Sequence, residues 1–186
     1  MRLIFLGPPG VGKGTQAKQI CEHYKIIHLS TGEILRKEIS DQSIVGNEAK
    51  TYIDNGNLVP DKLILRIIEN RLRARDVEQG YLLDGFPRTI NQAEGLQKII
   101  SQLKHKLDAV ISLTANEEEL ITRLIKRGKN SGRSDELPEI IQHRQKVYWL
   151  QTAPLLEYYT EKKILKKVDG LGSISDITKR ILETID

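Results

Sequence analysis

At 186 residues, with 39% hydrophobic, 29% charged and 5% aromatic positions, the chain is long enough to bury one core without disulfides or metal staples, and one domain is the default. Its 29 Lys and Arg against 25 Asp and Glu leave a net charge of +4, too mild for a dedicated nucleic-acid arm, and its one cysteine, Cys21, excludes an internal disulfide and a cysteine-rich zinc site. No apolar run approaches the roughly 18 residues of a membrane span, and the short apolar start at residues 1–7 lacks the length of a signal peptide, so a cytoplasmic address without membrane or nucleic-acid partners is expected.

Along the chain, apolar runs alternate with amphipathic stretches, the pattern of an α/β fold with a parallel sheet wrapped by helices. Leu3 to Leu6 reads as a strand buried on both faces, Lys13 to Tyr24 as a helix, and Ile26 to Leu29 as a second strand. Residues 30–73 then carry only helix-like patterns, too many for a plain crossover, so a small helical insert is expected there. Within them Asp61 opens a helix whose Leu63, Ile64, Ile67, Ile68 and Leu72 share one face. Tyr81 to Leu83, Ala109 to Leu113 and Ile164 to Val168 complete five strands. Asn116 caps a helix, with Glu119 three residues on and Leu120, Leu124 and Ile125 at helical spacing. Residues 128–137 are polar and glycine-punctuated and read as an exposed, mobile loop, for which a solvated connection is the plain explanation. A helix from about Pro138 to Tyr159, kinked or broken at Pro154, and a last one from Ser175 to Ile185 follow. Trp149, Tyr148, Tyr158 and Tyr159 sit at helical spacing and are expected to pack in the core. Cys21 reads as a small core filler, and the scattered His23, His28, His105 and His143 as structural or surface residues.

The most informative segment is Gly7-Pro8-Pro9-Gly10-Val11-Gly12-Lys13-Gly14-Thr15, which fits G-x-x-x-x-G-K between a strand and a helix. The glycines let backbone N–H groups turn inward around phosphate oxygens, the helix N-terminus adds partial positive charge, and Lys13 adds a full one. An ordinary Gly/Pro turn would not need the lysine at that spacing. The usual Mg²⁺-ligating hydroxyl directly after the lysine is replaced by Gly14, so Thr15 is expected to touch phosphate and no direct protein–metal bond is expected. Asp84 ends the apolar run Tyr81-Leu82-Leu83 in the manner of an acid that orients Mg²⁺ through its water shell, although a turn or helix cap would also use an aspartate before Gly85.

Gly7 to Thr15 resembles the loop of nucleoside monophosphate kinases, adenylate kinases in particular. So do Leu29 to Arg36, Asp84-Gly85-Phe86-Pro87-Arg88-Thr89 with Gln92-Ala93, and the series Arg123, Arg127, Arg133, Asp135, Arg144. The resemblance spans nearly the whole chain. It implies one domain of P-loop type, with a five-stranded parallel sheet as core (1–29, 60–126 and 138–186), a monophosphate-binding insert at 30–59 and a lid at 127–137. It implies transfer of the γ-phosphoryl of MgATP to AMP, giving two ADP, by a monomer whose partners are small nucleotides. Such a lid is of the short form, and with no cysteine near it structural zinc is excluded.

By the same resemblance, Gly10, Val11, Gly12, Lys13, Gly14 and Thr15 hold ATP, with Arg127 packed on its adenine and Gly172 offering backbone to it. Arg36 and Arg88 hold the AMP phosphate, while Arg123, Arg133 and Arg144 surround the moving group. Thr31, Asn57, Leu58, Val59, Gly85, Phe86, Pro87 and Gln92 line the acceptor, and Arg133 and Arg144 also reach it. Any one arginine alone is most often a solvated surface residue. Bringing several anionic phosphates together nevertheless requires guanidinium forks, and no general base is needed when the acceptor is itself a phosphate anion. Gln92 can read a purine edge with both ends of its amide, but Thr89 and Gln92 also fit a helix-capping box. Thr31 and Gln92 favour AMP over the alternative, a uridylate/cytidylate kinase on the same fold. A nucleotide-sensing module is the rival from another class; an NKxD guanine reader is absent, and a pure binder has no need of the full arginine set.

Overall fold

The computed structural model describes residues 1–185. Five parallel strands, β1 (Arg2–Leu6), β2 (Ile27–Ser30), β3 (Tyr81–Asp84), β4 (Ala109–Thr114) and β5 (Leu165–Asp169), form one sheet in the order β2-β3-β1-β4-β5. All five expected strands are present, with β2 and β5 each starting one residue later than the apolar runs. β1, β3 and β4 are buried almost throughout, as their unbroken apolar runs require, whereas edge strand β5 exposes Lys166 and Lys167. Residues of one side of the sheet, including Ile4, Leu83 and Val110, pack with α4 (Asp61–Leu72) and α5 (Ile90–Gln102). Those of the other, including Leu3, Phe5 and Ile111, pack with α1 (Lys13–Tyr24) and α9 (Ile174–Ile185).

Between β2 and β3 lie α2 (Thr31–Ser40), α3 (Ile44–Asp54) and α4, confirming the purely helical stretch. Ser30 caps α2 and Ser43 caps α3 with side-chain oxygens that accept backbone N–H bonds, which is why this polar segment breaks into two short helices. The buried face of α4 is Leu63, Ile64, Ile68 and Leu72, with Ile67 half-buried beside it.

Two expectations change. The predicted loop at 128–137 is mostly not a loop. α6 (Glu117–Ser131), started by the Asn116 cap, runs on until Gly132 ends it in the left-handed region at φ 60°. A 3-10 turn at Ser134–Glu136 then buries Asp135 and Glu136, because both carboxylates face arginines. The helix expected from Pro138 to Tyr159 is broken at Pro154 as expected, into α7 (Pro138–Val147) with a π-helical turn at Tyr148–Thr152, and α8 (Leu155–Glu161). Pro154 has no N–H to donate, and the chain widens just ahead of it: the Ala153 N–H bonds to Tyr148 O, five residues back. The widened turn keeps Tyr148 and Thr152 inside but leaves Trp149 55% exposed, so Trp149 is not the core residue expected. Tyr159 is buried and Tyr158 half-buried, and Cys21 is in the core, where burial pushes its thiol up to about 12.

Candidate functional site

Sheet order decides where the site forms. β1 and β3 are neighbours, with Phe5 opposite Asp84, while β1 leads outward to β2 and β3 leads across to β4. The carboxyl ends of β1 and β3 therefore open onto the crevice where ligands of such sheets gather. The loop after β1 turns at Gly7, Gly10 and Gly12, all at positive φ. A Cβ on Gly7 would stand 2.6 Å from Leu113 O and one on Gly10 2.7 Å from Leu120 O, so the loop reaches this shape only with glycine. Val11 is buried under it, and Gln145 of α7 braces it through a bond from Nε2 to Pro9 O of 3.0 Å. Lys13 Nζ is held by Gly7 O at 2.6 Å and Pro8 O at 3.0 Å. Burial lowers its ammonium to about 8, aided by Arg88, Arg144 and Arg127 and opposed by Asp84.

Asp84 faces the same crevice. Burial pushes its carboxyl up, but the His28 hydrogen bond and the charges of Lys13, His28 and Arg88 outweigh that and hold it below the usual range, ionised. His28 Nε2 stands 3.3 Å from Asp84 Oδ2, so this histidine supports the site acid, a contact that scattered spacing did not reveal. Thr31 Oγ1 donates to Asp84 O at 3.3 Å. Among the described residues no group of three or more His, Cys, Asp or Glu side chains is arranged to hold a metal ion.

The arginines come from six separate places in the sequence, and the fold gathers five of them. Arg36, Arg88, Arg127, Arg133 and Arg144 line one cleft with Lys13, Gly14, Thr15 and Asp84. Arg88 Nε donates to Gly85 O at 2.8 Å, and Thr152 Oγ1 donates to Arg88 O at 2.9 Å, fixing both ends of that residue. Asp135 takes Arg133 in two bonds of 3.0 and 2.9 Å and lies 3.1 Å from Arg144 Nη1. Fully buried Glu136 pairs with Arg127 and with Arg133. Burial depresses Arg88, Arg36 and Arg144. In Arg133, whose burial acts the same way, the Asp135 and Glu136 carboxylates overcome it and raise the value. Arg123 lies apart from the cluster, bonded to Glu119 Oε1 at 2.7 Å and Gly170 O at 3.3 Å.

Two cavities flank the cleft. One is lined by Thr31, Leu35, Arg36, Asn57, Leu58, Val59, Ile64, Gly85, Arg88 and Gln92, with Arg133, Asp135 and Arg144 at its inner end. The other, across the phosphate loop, is lined by Gly10, Val11, Gly12, Thr15, Gln16, Arg123, Arg127, Gly172, Ile174 and Ile177. The residues expected to hold one nucleotide thus separate from those expected to hold the other. Pro87 borders the inner wall beside Lys13. The Phe86 side chain is fully buried in the core and lines neither cavity. Residues that sequence reasoning missed include Ile64 and Ile177, which fall within expected helices, and Ile174, one residue ahead of the expected start of the last helix; Leu35 lay in the Leu29 to Arg36 block without a role of its own. Glu136 had one signal, an acid adjacent to Asp135 beside Arg133. Gln145 and Thr152 had none.

Comparison with known proteins agrees with this geometry. The adenylate kinase family profile matches residues 5–164. A protein described as adenylate kinase from Nocardioides sp. is 45% identical over 186 residues, covering 100% of this chain and 97% of the relative. One of the same description from Cyanothece sp. is 46% identical over 185 residues, covering 100% and 95%. One from Leptospira biflexa is 47% identical over 184 residues, covering 99% of each.

Proposed function

The chain belongs to the adenylate kinase family and is a phosphotransferase, and we propose that it moves the γ-phosphoryl of MgATP reversibly to AMP, giving two ADP and balancing adenine nucleotides in the cytoplasm as a monomer. One observation carries the assignment: two separately lined cavities border a single cleft where Lys13, Arg36, Arg88, Arg127, Arg133 and Arg144 converge with Asp84. The three relatives named above all carry the adenylate kinase description, and none supports the uridylate/cytidylate alternative.

In this reading the loop amides of residues 10–15 and Lys13 hold the donor phosphates. The Arg123, Arg127 and Gly172 side receives the donor adenine. Arg36 and Arg88 seat the acceptor phosphate, and Thr31, Asn57, Leu58, Val59 and Gln92 surround its base. Arg133 and Arg144, oriented by Asp135, stand between and neutralise charge as it spreads over the moving group. Positioning and neutralisation are what this reaction requires, because the attacking phosphate oxygen is already anionic. An ionised carboxyl in the phosphate cleft fits Mg²⁺ held through its waters, and Asp84 would orient it; the ion, when bound with ATP, shields phosphate charge. The insert (30–59) and lid (127–137) would cover the cleft and keep water from taking the phosphoryl group.

A coupled assay of ADP formation from ATP with AMP, UMP, CMP or GMP tests the reading. AMP should be the best acceptor, and a faster reaction with UMP or CMP would overturn it. Arg88→Ala should raise KM for AMP by about ten-fold or more while changing KM for ATP little, as expected for loss of a charge-assisted contact. Equal weakening of both nucleotides would mean the two cavities are assigned wrongly.

A further inference from the structure

Among the described residues lining the acceptor cavity, Asn57 and Gln92 carry amide side chains; Gln92 is the buried one, and its amide is already partly engaged. It is 2% exposed, at the start of α5. Its Nε2 donates to Asp61 Oδ1 at 2.7 Å, and its Oε1 accepts from the Arg88 backbone N–H at 2.7 Å. Asp61 lies on the first turn of α4 and also accepts from Thr89 Oγ1, at 3.2 Å to Oδ1 and 3.4 Å to Oδ2. Thr89 in turn caps α5 by accepting the Gln92 N–H at 3.1 Å. The capping box expected from sequence is therefore real on the threonine side. The glutamine, however, reaches back to Arg88 and across to another helix.

A primary amide carries two N–H donors and two acceptor lone pairs, so after these two bonds one of each remains. The chemistry of the anchors decides which end is which. A carboxylate only accepts and a backbone N–H only donates. Turning the amide over would set its oxygen against Asp61 and its NH₂ against the Arg88 N–H, and both contacts would be repulsive. The remaining donor and acceptor therefore stand in one order. That order matters to a purine. Adenine offers a ring-nitrogen acceptor beside an amino donor, whereas a 6-oxopurine offers a ring N–H donor beside an oxygen acceptor. A freely turning glutamine could serve either; an anchored one serves one.

We propose that Asp61 is a specificity-positioning residue, which locks the Gln92 amide so that the acceptor site takes a 6-aminopurine monophosphate and refuses a 6-oxopurine one. The inference rests on the acceptor assignment above and adds the residue that enforces it. Asp61 does not touch the nucleotide; it acts through Gln92.

The test uses the full-length protein with ATP as donor and AMP or IMP as acceptor. Asp61→Asn keeps the shape but supplies a group able to donate as well as accept, and Asp61→Ala removes the anchor. Both should raise the IMP to AMP ratio of kcat/KM, by about ten-fold in the alanine variant, the size expected when a mismatched buried polar edge is relieved. KM for AMP should rise and KM for ATP stay within about two-fold, since nothing on the donor side is touched. Asp61→Glu, which can still only accept, should keep the ratio near the starting value. If thermal melts show that the alanine variant does not fold, the near-isosteric asparagine variant decides. An unchanged IMP to AMP ratio, whether or not stability falls, makes Asp61 a brace between α4 and α5 and overturns the proposal. Equal losses with AMP and ATP overturn it too. If the unaltered protein forms no ADP from AMP, the acceptor reading itself has failed, and that outcome is recognised before any variant is measured.

Discussion

Lys13 is an ammonium ion held by two carbonyls and crowded by arginines, and its acid–base behaviour follows from that. Its value of about 8 in the folded protein lies below the ordinary 10.5, with burial the leading cause. The folded chain releases a proton that the unfolded chain keeps between about 8 and 10.5, so the lysine's contribution to stability rises with pH across that window. A polyphosphate placed beside it favours the charged form again. ATP binding at about pH 9 should therefore take up a proton, seen as a binding heat that changes with the buffer's ionisation enthalpy, and affinity should fall as pH rises past 8. Lys13→Met should abolish the uptake; uptake that persists in this variant would place the proton elsewhere. The lysine itself was legible in the sequence, because the loop motif is local and its chemistry is carried by residues within one turn of each other. Its neighbours were not. Asp84 approaches it through β1–β3 pairing, and Arg144 arrives from a helix more than a hundred residues away.

The insert shows what is decided between elements. Helices α2 and α3 pack so closely that a Cβ on Gly46 would lie 2.1 Å from Glu38 O. Gly46→Ala must push the two helices apart. It should cost about 1–3 kcal/mol in urea unfolding, with a rise in KM for AMP and little change for ATP, because α2 carries Leu35 and Arg36 of the acceptor cavity. A variant as stable as the parent would show that the helices separate freely. Nothing in the local pattern marks this glycine, which sits in the first turn of an ordinary capped helix. The start of α6 was readable, since Asn116 and Glu119 form a self-contained cap. Its end was not: polarity pointed to a loop at residues 128–137, but Arg127, Arg133 and Arg144 neutralise Asp135 and Glu136 and draw them inside. Trp149 failed as a core residue for a related reason, because α-helical spacing no longer applies where the helix widens before Pro154.

Across the whole molecule, the insert touches both the lid and α7 on the far side of the cleft. Ser134 Oγ donates to Asp54 Oδ1 at 2.7 Å, and His143 Nε2 lies 2.7 Å from Asn57 Oδ1. Both contacts are exposed. Hydrogen bonds of this kind are worth about 0.5–1.5 kcal/mol each, enough to bias an unliganded protein toward closure but not to hold it there. The double variant Asp54→Ala, Asn57→Ala should lengthen the distance between fluorescent labels on α3 and on the residues after α6 in the free protein. It should change that distance little once both nucleotides are bound. An unchanged free-state distance would mean that other contacts, such as the attraction between Arg36 and Asp135, bring the two parts together.

By itself the sequence determined the alternation of strands and helices, the phosphate loop, the Asp84 to Arg88 turn and the absence of a cysteine-rich zinc lid. The first three are written in neighbouring residues through periodicity, capping or backbone freedom, and the last follows from the single cysteine. Tertiary structure alone decided that β1 lies beside β3, that five arginines share one cleft while Arg123 stands outside it, that Glu136 is buried and that Asp61 grips Gln92. Apart from Glu136, whose arginine partners lie within nine positions, those outcomes join residues tens to more than a hundred positions apart, and only the packing of helices on the two faces of the sheet brings such partners within reach.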